Sequence, residues 1–170
     1  MTLDELNHLP APDAWVALER CCGASAWVEH MCSRRPYRSR AELLAESERA
    51  AATLEPDDWR EAFGHHPRIG DLSTLRERYA STAAWASDEQ RGATAAPEAV
   101  LVALAGANQK YEDRFGHIFI VCATGNSAEQ MLALLESRMH NDSGSELKIA
   151  AEEQMKITRL RLEKLLGDTP

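Results

Sequence analysis

Signals that start and stop helices recur along this 170-residue chain, and almost none of it alternates as a strand would. Thr2-Leu3-Asp4-Glu5 and Ser39-Arg40-Ala41-Glu42 are capping boxes, in which a hydroxyl and a glutamate three residues on satisfy each other's backbone amides. Ser87-Asp88-Glu89-Gln90 repeats the pattern, and Gly125-Asn126-Ser127 turns into a helix with Gln130 at its third position. Behind these starts, apolar residues recur at three- and four-residue steps, the period of a half-buried helix. They predict short helices over 13–22 and 25–33, a stripe at Leu43, Leu44, Ala50, Ala51 and Leu54, and a helix from Pro56 to Phe63. Further helices are expected near 72–84, over 97–115, from 128 to Met139, and over 146–166. Pro10 and Pro12 should break the first helix, and Gly64 and Gly116 should close theirs in the left-handed conformation glycine takes freely. Only Ile118-Phe119-Ile120-Val121-Cys122 is β-prone, and it is too short for a sheet of its own. The expectation is an all-α single domain over 1–170, a bundle of about eight helices with one short extended crossing.

A chain of this length buries roughly two-thirds of the surface it would expose unfolded, so neither metal nor disulfide is needed to hold it. The formal charge of −8 argues against nucleic acid as a partner, since that affinity rests on neutralising phosphates. The cysteines, Cys21, Cys22, Cys32 and Cys122, form no C-x-x-C pair, so reduced thiols in a cytoplasmic protein are expected rather than a zinc site or disulfide frame. Cys21 and Cys22 read as buried small hydrophobes. No run approaches the ~20 apolar residues of a membrane span. The first residues lack the pattern of a secretory leader, and the last three are not a peroxisomal address.

Against this background a few polar residues stand out. His65-His66-Pro67-Arg68-Ile69-Gly70-Asp71 is a stiffened loop between helices, with His66 pushed toward an extended conformation by Pro67. It reads either as a solvated turn or as a catalytic junction. Its loop position implies that losing His66 costs turnover and little stability. Glu89 and Gln90 either favour a helix N-terminus or, with its free amides, meet a small ligand. Asn108 and Tyr111 share the apolar face of the 97–115 helix and must bond backbone or line a pocket. The 118–122 crossing leaves backbone N–H and C=O groups that either buried chain or a planar, amide-rich ligand can satisfy. Arg161 lies on an apolar stripe between Ile157 and Leu165, either snorkelling or bonded to something buried. Arg159, by contrast, should pair with Glu163 on the surface. No histidine set has metal-ligand spacing, so no metal is expected.

Taken in order, His66-Pro67-x-Ile69-Gly70-Asp71, Trp85-x-x-x-Glu89-Gln90, Asn108-x-x-Tyr111-x-x-x-Phe115-Gly116, Phe119-Ile120-Val121-Cys122-Ala123-x-Gly125, Arg138-x-x-Asn141, Glu146-Leu147 and Lys156-Ile157 form a set far more specific than any one piece. The set resembles 2-oxo-4-hydroxy-4-carboxy-5-ureidoimidazoline (OHCU) decarboxylase over nearly the whole chain. The resemblance implies an all-helical, often dimeric, cofactor-independent enzyme acting on a small molecule. It places proton transfer on His66, with Glu89 beside it, and substrate contacts on Pro67, Glu89, Gln90, Arg161 and the backbone of Ile118, Phe119, Ile120, Val121 and Cys122. One departure is Ala86, where many members have serine; either Ser87 supplies that hydroxyl or a backbone amide makes the contact.

The implied substrate carries a carboxylate on a carbon next to a C=N bond, and so contains its own electron sink. A histidine that changes charge near neutrality suits the proton steps, and an arginine fork suits a carboxylate or ureido oxygen. Two alternatives remain from the residues alone. One is a non-catalytic helical module binding an acidic metabolite, the other a hydrolase of a related ureide.

Overall fold

The computed structural model describes residues 1–66, 72–77, 79, 97–122 and 126–167. Among these, nine helices and no strand occur, which makes the protein all-α. They are α1 (Leu3–His8), α2 (Ala11–Glu19), α3 (Ser25–Ser33), α4 (Arg40–Ala51), α5 (Pro56–Gly64), α6 over residues 72–77, α7 (Glu98–Phe115), α8 (Ala128–Arg138) and α9 (Ser143–Leu165). No described helix is long and apolar enough to cross a membrane.

Local chemistry explains most of the boundaries. Thr2 Oγ1 accepts from Glu5 N at 3.1 Å while Thr2 N donates to Glu5 at 2.7 Å, the reciprocal box expected. Ser127 and Gln130 repeat it at the head of α8. At α4 only half forms: Ser39 caps Glu42 N, but the Glu42 carboxylate reaches one residue further back, to Arg38 N at 2.6 Å. Three expectations need correction. Pro12 does not break a helix but sits in the first turn of α2, where its missing N–H would have had no partner anyway. Gly64 is the last residue of α5 and has no positive φ; His65 caps the helix in the right-handed conformation, and its N–H turns back to Ala62 O at 3.3 Å. The last helix starts at Ser143, not 146, because Asp142 Oδ1 accepts from Gly144 N at 3.0 Å and Ser145 N at 2.9 Å. Gly116 behaves as expected, closing α7 at φ 73°.

The chain forms two compact units. The first contains residues up to His66, the segment Ile120–Cys122 and the chain from Leu147 onward. At its centre is α3, packed against α2, α4 and α5 through the fully buried Trp27, Val28 and Met31. Trp27 Nε1 donates to Ser47 O at 3.2 Å, and Tyr37 OH donates to Met31 O at 2.5 Å, so both buried aromatic polar groups are satisfied. Cys21 and Cys22 are buried, as expected of small hydrophobes, and burial pushes the Cys21 thiol up to about 12.

The second unit comprises Pro67–Phe119 and Ala123–Glu146, with α7 against α8. Asn108 Nδ2 donates to Leu104 O at 3.0 Å, the backbone solution to its burial. Tyr111 takes another course: its hydroxyl donates to the Glu146 carboxylate. Arg138 Nε and Asn141 Nδ2 each donate to that carboxylate at 2.8 Å. Burial pushes the Glu146 carboxyl up, but these three donors outweigh it and hold it below the usual range. The Arg138 guanidinium also lies 4.6 Å from the centre of the Phe119 ring, a cation–π contact.

Glu146→Ala is expected to leave the buried Arg138 without its carboxylate partner and to lower stability by about 3–5 kcal/mol. Glu163→Ala removes only the expected surface pair with Arg159, 3.1 Å in the structure, and should change stability by under about 0.5 kcal/mol. Urea unfolding of both variants checks the contrast.

Candidate active site

Helix α9 carries its buried residues at four-residue steps. Glu146, Ala150, Gln154, Thr158 and Leu162 are all 0% exposed, so two neutral polar groups sit in the middle of a buried row and must be bonded there. Gln154 Nε2 donates to Thr158 Oγ1 at 3.2 Å. Its Oε1 lies 2.6 Å from His66 Nε2. Just beyond Thr158, Arg161 places Nη1 3.3 Å from Arg20 O and 3.4 Å from Cys21 O, and Nη2 3.4 Å from His66 Nδ1. Those carbonyls follow the last residue of α2, at the negative end of its dipole, where a cation is favoured.

These contacts decide the state of the imidazole. Arginine only donates, so Nδ1 of His66 must accept and Nε2 must hold the ring proton. Gln154 therefore presents its oxygen to Nε2–H, and its amide nitrogen is left for Thr158. Burial lowers the pKa of His66 below its usual 6.5; the Arg161 charge lowers it further, the Gln154 bond opposes both, and His65 adds a smaller lowering. The site thus holds a neutral histidine with its lone pair on the arginine side, able to accept a proton near neutral pH. The ring does not sit in a solvated turn. Its bond to a fully buried glutamine gives His66 a share in stability as well.

Next to it, His65 lies against Gly23, where a Cβ would come within 2.2 Å of the His65 Cγ. Only glycine fits that approach, so the end of the α2–α3 connection is shaped around His65. The 118–122 segment forms neither helix nor strand, and part of its backbone is already satisfied. Cys122 N donates to Glu153 Oε2 at 2.7 Å, and His117 Nδ1 donates to Ile118 O at 3.0 Å. Burial, with Glu153 nearby, raises the Cys122 thiol, so it is not poised as a thiolate nucleophile.

Of the residues singled out from sequence, His66 and Arg161 are brought together, and Ile120, Val121 and Cys122 belong to the same unit. Ile118 and Phe119 belong to the second unit, where the Phe119 ring packs edge-on to Tyr111 at 5.1 Å. Pro67, Ala86, Ser87, Glu89 and Gln90 lie outside the described residues. Sequence reasoning missed Gln154, Thr158 and Glu153. A glutamine and a threonine four residues apart, in the row between Ala150 and Leu162, were the available signal. Among the described residues no cluster of three or more histidine, cysteine or acidic side chains is arranged to hold a metal ion.

A family model described as OHCU decarboxylase matches residues 7–163. The chain is 34% identical over 148 residues to the uric acid degradation bifunctional protein TTL of Arabidopsis thaliana, covering 87% of this chain and 46% of that protein. It is 26% identical to the 2-oxo-4-hydroxy-4-carboxy-5-ureidoimidazoline decarboxylase of Haloferax volcanii, covering 95% of this chain and 94% of that one. Among solved structures it is similar to a crystal structure of OHCU decarboxylase in the presence of (S)-allantoin, with a TM-score of 0.71 and 35% identity over 92% of this chain and 99% of the other. The chain thus spans less than half the length of the Arabidopsis relative and nearly all of the Haloferax one.

An NMR titration of the His66 ring should give a midpoint below 6.5. Arg161→Gln should move it up by removing the nearby cation, and Gln154→Met should move it further down by removing the bond that favours the charged ring. Because folding lowers this pKa, the group contributes stability above about 6.5 that is lost as pH falls through the lowered value. Unfolding of a His66→Gln variant should therefore depend less on pH in that window.

Proposed function

This chain belongs to the OHCU decarboxylase family, and on that premise we propose that it converts 2-oxo-4-hydroxy-4-carboxy-5-ureidoimidazoline to (S)-allantoin and CO2 in urate degradation. The observation that carries the reading is the neutral His66 ring, pinned through Nε2 and facing Arg161 through Nδ1. Acid–base work near neutral pH needs such a ring, and carboxylate recognition needs such a neighbour.

The chemistry asks for little beyond these groups. When the bond to the carboxylate breaks, its electron pair moves into the adjacent imine and the ring nitrogen takes a proton. The resulting enol is then protonated on one face of the ureido-bearing carbon as its hydroxyl proton leaves, which sets the stereochemistry. The substrate is its own electron sink, so the reaction needs no cofactor. The enzyme must hold the carboxylate across the plane of the imine and manage two protons. Arg161 offers two parallel donors for a carboxylate or ureido oxygen, and His66 moves the proton. On the family's pattern, Glu89 and Gln90 hold the substrate, Glu89 by accepting from the ureido N–H groups or by holding His66. On the same pattern, Pro67 contacts the substrate, the Ser87 hydroxyl or a backbone amide makes the contact expected at Ala86, and the 118–122 backbone bonds the ring and ureido amides.

Circular dichroism of freshly prepared substrate tests this directly. The wild-type protein should produce a lasting signal from one enantiomer, where spontaneous decay gives racemic product. His66→Ala should slow that conversion roughly 10²–10⁴-fold, and should lower stability by about 1–3 kcal/mol by stripping a buried acceptor of its partner. Racemic product at the background rate with wild-type protein would return the chain to the binding-module reading.

A further inference from the structure

The geometry points to Gln154 as a positioning residue that, with Thr158, fixes His66 as the Nε2–H tautomer and so makes Nδ1 the nitrogen that moves the proton. The inference rests on the proposed decarboxylation and adds to it which atom acts and what sets that atom's state. Neither glutamine nor threonine is a residue that proton chemistry would single out in sequence.

Three points support it. First, Nε2 is occupied: its 2.6 Å bond goes to a side chain with no solvent exposure, so a substrate atom reaches Nε2 only by displacing a buried bond. Second, Nδ1 meets its donor at 3.4 Å, the weak end of the hydrogen-bond range. The same guanidinium's other nitrogen is engaged by the carbonyls of Arg20 and Cys21. A carboxylate arriving at Arg161 competes for Nη2 and leaves the Nδ1 lone pair beside the reacting group. Third, the amide cannot be turned over. With its NH2 toward His66, Nε2 would have to accept and Nδ1–H would face an arginine N–H, donor against donor.

Thr158 completes the arrangement. Its hydroxyl oxygen accepts from Gln154 Nε2 at 3.2 Å, and Thr158 itself is fully buried. The groups around the ring therefore form a line from Thr158 through Gln154 and His66 to Arg161. Arg161 in turn bonds the backbone carbonyls of Arg20 and Cys21. The orientation of every member is settled by its neighbour, and the only permanent charge in the line is the guanidinium. Among the described residues, the titratable groups bearing on His66 are Arg161 and His65, while the Cys21 and Cys22 thiols, raised by burial, stay neutral.

The test begins with the wild-type protein. Nitrogen-15 NMR of the His66 ring, above its titration, should show Nε2 protonated and Nδ1 bare; the reverse assignment overturns the proposal. Gln154→Met should then give a mixture of tautomers and a kcat roughly 10–100-fold lower, part of the 10²–10⁴-fold that positioned proton transfer supplies. Its KM should stay within about threefold, because no substrate contact is lost. Gln154→Glu restores an acceptor opposite Nε2 and should bring back the single tautomer and most of kcat. Unchanged kcat in Gln154→Met, or a loss confined to KM, overturns the assignment. A wild-type protein that leaves the substrate to decay at its background rate sinks the decarboxylase reading instead, while the ring's tautomer is still read by NMR.

Discussion

A buried amide side chain has to place both of its ends, and in this protein that requirement is met at Gln154. Its oxygen takes the proton of His66 and its nitrogen rests on Thr158. The candidate site depends on this one residue, because it converts a histidine at the end of α5 into a ring of defined tautomer at a defined place. The arginine on the other side does the complementary half of the work. Since it can only donate, it disfavours a proton on Nδ1 and so favours the amide oxygen facing the ring, but its 3.4 Å contact is weak. Neither partner alone would settle the question.

The same helix begins with a different answer to burial. Glu146 is as inaccessible as Gln154, yet it is ionised and held by three donors from Tyr111, Arg138 and Asn141. A fully paired buried carboxylate is tolerated and adds little net stability, whereas losing one partner is severe. The Tyr111, Arg138, Asn141 and Glu146 positions all fall in the family's ordered motif, and the structure assigns them this structural task in the second unit. Motif membership therefore mixes two kinds of residue, those near the imidazole and those that satisfy one another in a core.

The helices were legible because their causes are local. A hydroxyl three residues before a glutamate or glutamine, or a glycine at the end of an apolar stripe, acts within one turn, and Thr2, Ser127 and Gly116 behave accordingly. The differences are local as well. Pro12 looks like a breaker, but a first-turn position asks nothing of its nitrogen. Gly64 has the residue type of a left-handed cap, but a tight right-handed turn into His65 suffices. Asp142, which caps α9, lies in a polar stretch that resembles a loop. Gln154 and Thr158 are hidden for another reason: in a long helix rich in glutamate and lysine, two neutral polar residues stand out only through their burial.

By itself the sequence determined the helical class, the extent of most helices and the residue types available for chemistry, since residues three or four apart interact whatever the rest of the chain does. It also determined, through an ordered set of motifs, the family. Only the tertiary structure decided what His66 is chemically. Its partners lie 88 and 95 residues away, and neither spacing leaves a periodic trace. The burial that lowers its pKa, the amide that takes its proton and the cation that claims its lone pair exist only once α9 is packed against the ends of α2 and α5.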